Sequence, residues 1–169
     1  MCTNNRAKSY NLFFVTFVMI ESESRGYKMK KLLIATHAHM ASGIVSTIDL
    51  LTGCGSRLKW LDAYVDETDV VKELRDFISD VTEGDQGIIF TDLRGGSVNQ
   101  QVMNLLQEAS QNIIVVTGIN LPVVLEIALS DETMDKQKVQ EIVEMARGEL
   151  CCMDLKQTEE PMDEDSFFE

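Results

Sequence analysis

From Lys30 onward the chain switches repeatedly between two hydrophobic patterns, and this alternation constrains the fold more than any other feature. KLLIAT, GIIFTD and NIIVVTG are short, continuous apolar runs of strand length. Leu58–Tyr64 alternates loosely, holds the only tryptophan, Trp60, and reads as a further strand. The segments between and after these strands carry apolar residues at helical spacing. Ile44, Val45, Ile48 and Leu51 mark a helix that Gly53 and Gly55 stop. Val70, Val71, Leu74, Phe77, Ile78 and Val81 mark one face of a second, with Thr68 as its N-cap. Val98, Val102, Leu105, Leu106 and Ala109 mark a third. Asn120 caps a fourth, with Pro122 in its first turn, and Val139, Ile142, Val143 and Ala146 mark a fifth over Asp135–Arg147. Strands alternating with helices in this way predict an open, doubly wound α/β domain. Its sheet is four-stranded and mainly parallel, with helices on both faces. ELCCMDL, after Gly148, is a short apolar segment expected to add a last strand.

The chain has 169 residues, enough for one ordinary domain with a real core. That domain is expected over 29–155. Residues 1–28 read as translated leader outside the native fold. Met29 opens MKKLLIATHA, a natural start that runs straight into a strand, and the apolar run Asn11–Ile20 is followed by ESESRG, with no small-residue cleavage pattern. Residues 156–169, KQTEEPMDEDSFFE, form an acidic tail expected to be disordered. A formal net charge of −13 argues against nucleic acid and against an anionic membrane surface, and fits a basic protein partner. No run reaches membrane-spanning length. Cys2, Cys54, Cys151 and Cys152 form no C-x-x-C pair and no zinc spacing, which suits reduced thiols in a cytoplasmic protein.

In sheets of this type the functional site lies beyond the carboxyl ends of the strands, where strand order reverses. Both histidines of the chain, His37 and His39, follow the first strand. The third strand ends in Asp92-Leu93-Arg94-Gly95-Gly96-Ser97. If the first and third strands are neighbours, His37 faces Asp92. A carboxylate accepting from one ring nitrogen fixes the tautomer and leaves the other nitrogen as a nucleophile. The Gly-Gly-Ser turn opens a helix, where N–H groups and the Ser97 hydroxyl can hold an anion such as a phosphoryl group. His39 reads as a neighbour that shapes the site or faces solvent. There is no Walker lysine motif, no dinucleotide-binding G-x-G-x-x-G after the first strand and no nucleophile elbow.

The motifs IATHAHMASGIV, IIFTDLRGGSVNQ and VVTGINLPVVLEIAL, in this order and spacing, resemble the enzyme IIA component of the mannose/fructose/sorbose branch of the bacterial sugar phosphotransferase system. The resemblance runs from about Lys30 to Leu155. It implies a phosphorylated histidine at His37, oriented by Asp92, with Thr36, Gly95, Gly96 and Ser97 around the phosphoryl group. It further implies a relay from phospho-HPr to the IIB component, and through it to the IIC and IID membrane subunits, with no metal or cofactor. It also implies a homodimer in which ELCCMDL is the exchanged, antiparallel strand. Two positions depart from the family pattern: Ala38 stands where glycine is common, and Val98 where proline is common. Ala38 asks for a somewhat different backbone there. A dihydroxyacetone kinase phosphotransfer subunit shares the fold and is the nearest alternative. A non-catalytic regulatory or binding module is another, and a purely structural role for these groups a third.

Overall fold

The computed structural model describes residues 29–109, 111–131 and 133–153. The expected leader, the expected acidic tail, and Asp154 and Leu155 lie outside the described residues. Four strands, β1 (Lys30–His37), β2 (Leu58–Ala63), β3 (Gln86–Thr91) and β4 (Ile113–Thr117), form one parallel sheet in the order β2-β1-β3-β4. Five helices join and cover them: α1 (Met40–Thr52), α2 (Val70–Asp80), α3 (Ser97–Gln107), α4 (Leu121–Leu129) and α5 (Lys136–Gly148). A short 3-10 turn, Gly55–Arg57, leads into β2.

The two faces of the sheet carry separate cores, as alternate side chains on each strand require. Leu32, Ile34, Ile88, Phe90 and Val116 pack against α1, α4 and α5. Leu33, Ala35, Ile89 and Leu61 pack against α2 and α3 through Leu74, Phe77, Val98 and Val102. Every residue of β3 is buried, in line with its unbroken apolar run. β4 is equally apolar but is an edge strand, and only Val116 is fully buried in it.

The helix ends correct the sequence reading in one place. Asp69, not Thr68, caps α2, its carboxylate accepting from the Lys72 N–H at 3.0 Å. Asn120 caps α4 as expected, accepting from the Val123 N–H at 3.1 Å. After α5, the described part of the expected last strand, residues 149–153, forms no strand within the chain, and Leu150 and Met153 are exposed. A strand needs a pairing partner for its backbone groups, and this segment meets none among the described residues. Among the described residues no helix is long and apolar enough to cross a membrane.

Candidate functional site

β1 connects outward to β2 on one side, and β3 lies on the other, so the strand order reverses between β1 and β3. In that register Ala35 stands opposite Thr91, which sets His37 and Asp92 just beyond the last paired residues. Asp92 Oδ2 accepts from the His37 backbone N–H at 2.9 Å and lies 2.8 Å from His37 Nδ1. Its Oδ1 accepts from the Leu93 N–H at 2.8 Å. Burial pushes the Asp92 carboxyl up, but the hydrogen bonds from His37 and Leu93 outweigh it and hold the group below the usual carboxylate range. The ionised carboxylate keeps the ring proton on Nδ1. Nε2 is then the free nitrogen, and it lies 2.9 Å from Ser97 Oγ. The His37 side chain is 36% exposed, so a partner can reach it.

Both glycine N–H groups are bonded within the loop. The Gly95 N–H donates to Asn99 Oδ1 at 3.0 Å and the Gly96 N–H to Leu93 O at 3.0 Å, so neither points at an anion. Gly95 takes φ +75°, the left-handed region that favours glycine. A Cβ at Gly96 would lie 3.0 Å from Leu93 Cβ and 3.3 Å from His37 Cε1, so glycine lets the loop close against the ring. Next to the ring stand Ser97 and the first turn of α3. That helix has no side-chain cap, and its first N–H groups lack intrahelical partners. Thr36 bonds to the start of α1. It is fully buried, and its Oγ1 accepts from the Ala41 N–H at 2.8 Å, anchoring the start of α1.

Three residues at the site escaped the sequence reading. Asn99 is buried and ties Gly95 to Thr91 Oγ1 through its amide, at 3.0 and 3.2 Å. Its signal was a polar side chain next to the apolar stripe of α3. Asp62, near the end of β2, accepts from the Ser42 N–H at 3.0 Å and lies 3.2 Å from His39 Nδ1. This pair shapes the start of α1, with the His39 side chain 73% exposed. Tyr64, just after β2, sets its ring 5.6 Å from that of His37. Among the described residues no three His, Cys, Asp or Glu side chains are grouped to hold a metal ion.

Fold and site together define a class: a doubly wound α/β domain with a carboxylate-held imidazole at its switch point, beside an uncapped helix start. The sequence pattern of the family described as the phosphotransferase system (PTS) fructose IIA component matches residues 31–146. The chain therefore belongs to the IIA family of the sugar phosphotransferase system. None of the curated proteins compared matches it. Among solved structures it is similar to a PTS IIA protein associated with the fucose utilization operon of Streptococcus pneumoniae, with 23% identity over 78% of this chain and 97% of that one, and a TM-score of 0.62. A putative PTS permease of Klebsiella pneumoniae gives 23% identity over 81% and 98%, with a TM-score of 0.65. The mannose/sorbose-specific IIA subunit of Enterococcus faecalis gives 17% identity over 75% and 96%, with a TM-score of 0.63. At these identities the likeness speaks for the fold.

Proposed function

We propose that the protein is a cytoplasmic phosphoryl carrier that accepts a phosphoryl group from phospho-HPr on His37 Nε2 and passes it to a IIB component. The observation that carries this reading is the alignment of Asp92, the His37 ring and Ser97 in one line of contacts at 2.8 and 2.9 Å. In the accepting step the P–N bond of the donor breaks as the Nε2–P bond forms. Asp92 holds the Nδ1 proton throughout and offsets the positive charge that develops on the ring. The phosphoryl oxygens meet the Ser97 hydroxyl and the first N–H groups of α3. Such a transfer has a loose transition state, so positioning and charge stabilisation do most of the work, and no metal is needed to make the nucleophile. Transfer onward reverses these steps, and the IIC and IID membrane subunits complete uptake of the sugar.

Two further features support the partners. Met40, Tyr64, Val65 and Leu93 are exposed apolar residues on the segments that bear the site, which suits docking of a carrier protein. β4 is an edge strand with partly buried Ile113, Ile114 and Val115, and the apolar ELCCM segment is exposed. A homodimer in which each copy's ELCCMDL covers the other's β4 would satisfy both.

The test is incubation with enzyme I, HPr and phosphoenolpyruvate, followed by intact-mass measurement. The expected result is an acid-labile gain of one phosphoryl group that His37→Ala abolishes and His39→Ala retains. No gain with cognate carriers would replace the relay with a binding module on the same fold. Onward transfer to a dihydroxyacetone kinase subunit, and not to a IIB component, would move the protein to that system.

A further inference from the structure

Among the described residues two non-glycine residues adopt left-handed backbone, Ala38 at φ 48° and Tyr64 at φ 66°, and both border His37. Ala38 follows it in the chain. Its N–H donates to Ala63 O at 3.0 Å, which ties the turn after β1 to the turn after β2. Tyr64 begins that second turn. A bulky side chain rarely takes this conformation, and such outliers gather at functional sites. Core burial does not account for it, because Tyr64 is 54% exposed. The ring instead has two specific neighbours. Its centroid lies 5.6 Å from the His37 ring at an interplanar angle of 39°, and its hydroxyl accepts from Gln101 Nε2 at 3.2 Å. Gln101 lies one turn along α3 from Ser97, the residue that meets Nε2.

The imidazole is thus bounded on its edge by Asp92 at Nδ1, by Gly96 near Cε1 and by Ser97 at Nε2. Tyr64 bounds it from the side, braced by the helix that carries Ser97. We infer that Tyr64 is a positioning residue that fixes the plane of the His37 ring and screens the phosphorylated ring from water between partner encounters. The inference rests on the carrier reading of His37. A carrier differs from an ordinary transferase in that its covalent intermediate must outlast the wait for an acceptor. A side wall that excludes water serves that need without touching the reacting atoms.

The experiment compares wild type, Tyr64→Phe and Tyr64→Asn, because asparagine tolerates left-handed backbone and keeps the fold while removing the ring. The isolated phosphoprotein is timed as it loses its phosphoryl group, and the His37 ring of the unphosphorylated protein is followed by ¹⁵N NMR. Tyr64→Asn is expected to melt near the wild-type temperature yet lose the phosphoryl group about tenfold faster, with a changed His37 tautomer ratio or ring line width. Tyr64→Phe is expected to restore most of the lifetime, since it keeps the wall and loses only the Gln101 hydrogen bond. An unchanged lifetime and unchanged His37 ring signals in Tyr64→Asn would overturn the inference. If wild type itself gains no phosphoryl group, the carrier reading fails and takes the screening role with it. The NMR comparison then decides the positioning role alone, and unchanged ring signals reject that too.

Discussion

At the scale of single residues, the site is held by atoms that accept or donate in only one way. Both oxygens of Asp92 accept from backbone N–H groups, Oδ2 from His37 and Oδ1 from Leu93, and Oδ2 also meets the ring. Asparagine is therefore not a conservative change there. Whichever way its amide turns, an NH₂ faces a backbone N–H. Asp92→Asn is expected to lower stability by about 1–2 kcal/mol in urea unfolding, the cost of one unsatisfied donor. It should slow phosphoryl acceptance by about a hundredfold or more, because the ring loses its ionised partner. Ala38 offers a prediction of opposite sign. It keeps the left-handed backbone that a glycine would favour, at φ 48°. Left-handed backbone costs an L-residue about 1–2 kcal/mol, and the extra unfolded-state freedom of glycine costs about 0.5–1 kcal/mol. The first is larger, so Ala38→Gly should raise the unfolding free energy by about 0.5–1 kcal/mol. A lower melting temperature for that variant would show that the turn after β1 is not strained.

At the scale of elements, what the sequence made legible was whatever repeats. The four strands and five helices of the described residues follow from hydrophobic pattern together with local signals such as Asn120 and Pro122, and the meeting of His37, Asp92 and Ser97 follows from topology. What stayed hidden depends on single hydrogen bonds between distant segments, which leave no period. Gln86 is the clearest case. In the sequence it closes the polar stretch EGDQ. In the fold it is the first residue of β3, 3% exposed, and its amide pairs reciprocally with the backbone of Met134. The Met134 N–H donates to Gln86 Oε1 at 2.7 Å, and the Met134 carbonyl accepts from Gln86 Nε2. This pair pins the link between α4 and α5 to the buried start of a central strand. Gln86→Leu would leave a buried N–H and C=O without partners, an expected loss of about 2–4 kcal/mol. Hydrogen exchange should show the loss concentrated at the start of α5. Tyr64 was hidden for the same reason, since it meets a ring and a helix from other elements, whereas Asn99 makes local bonds to Gly95 and Thr91 that leave only a polar side chain beside an apolar stripe. A Gly-Gly-Ser turn also does not reveal which of its N–H groups are already bonded, as those of Gly95 and Gly96 are here to Asn99 and Leu93.

At the scale of the whole molecule, two electrostatic effects of opposite direction act on stability. Several carboxylates are held below their ordinary range. Asp85 is lowered to about 2 by the Thr82 hydroxyl and by Lys31. Asp80 is lowered chiefly by Lys59. For Asp62, burial pushes the group up, but hydrogen bonds from Ser42 and His39 outweigh it. Asp92 joins them. A carboxylate lowered by folding contributes stability above its unfolded value, near 3.9, and that contribution is lost as pH falls through the lower folded value. Against this, the net charge of −13 repels itself at neutral pH and shrinks as pH approaches the isoelectric point near 4.5. From pH 7 down to about 5 only the second effect operates, so stability should hold or rise. Below about pH 4 the first takes over, and stability should fall steadily toward pH 2. Salt separates the two at pH 7. The surface ion pairs, such as Lys59 with Asp80 and Arg57 with Asp131, are worth about 0–1 kcal/mol each, so screening them costs little. Screening the uncompensated negative charge gains more. The melting temperature at pH 7 should therefore rise with added sodium chloride. The rate of phosphoryl transfer from a basic carrier should fall over the same range, because the same field that strains the fold speeds the encounter. A melting temperature that fell with salt would mean that the surface ion pairs, and not the net charge, govern stability.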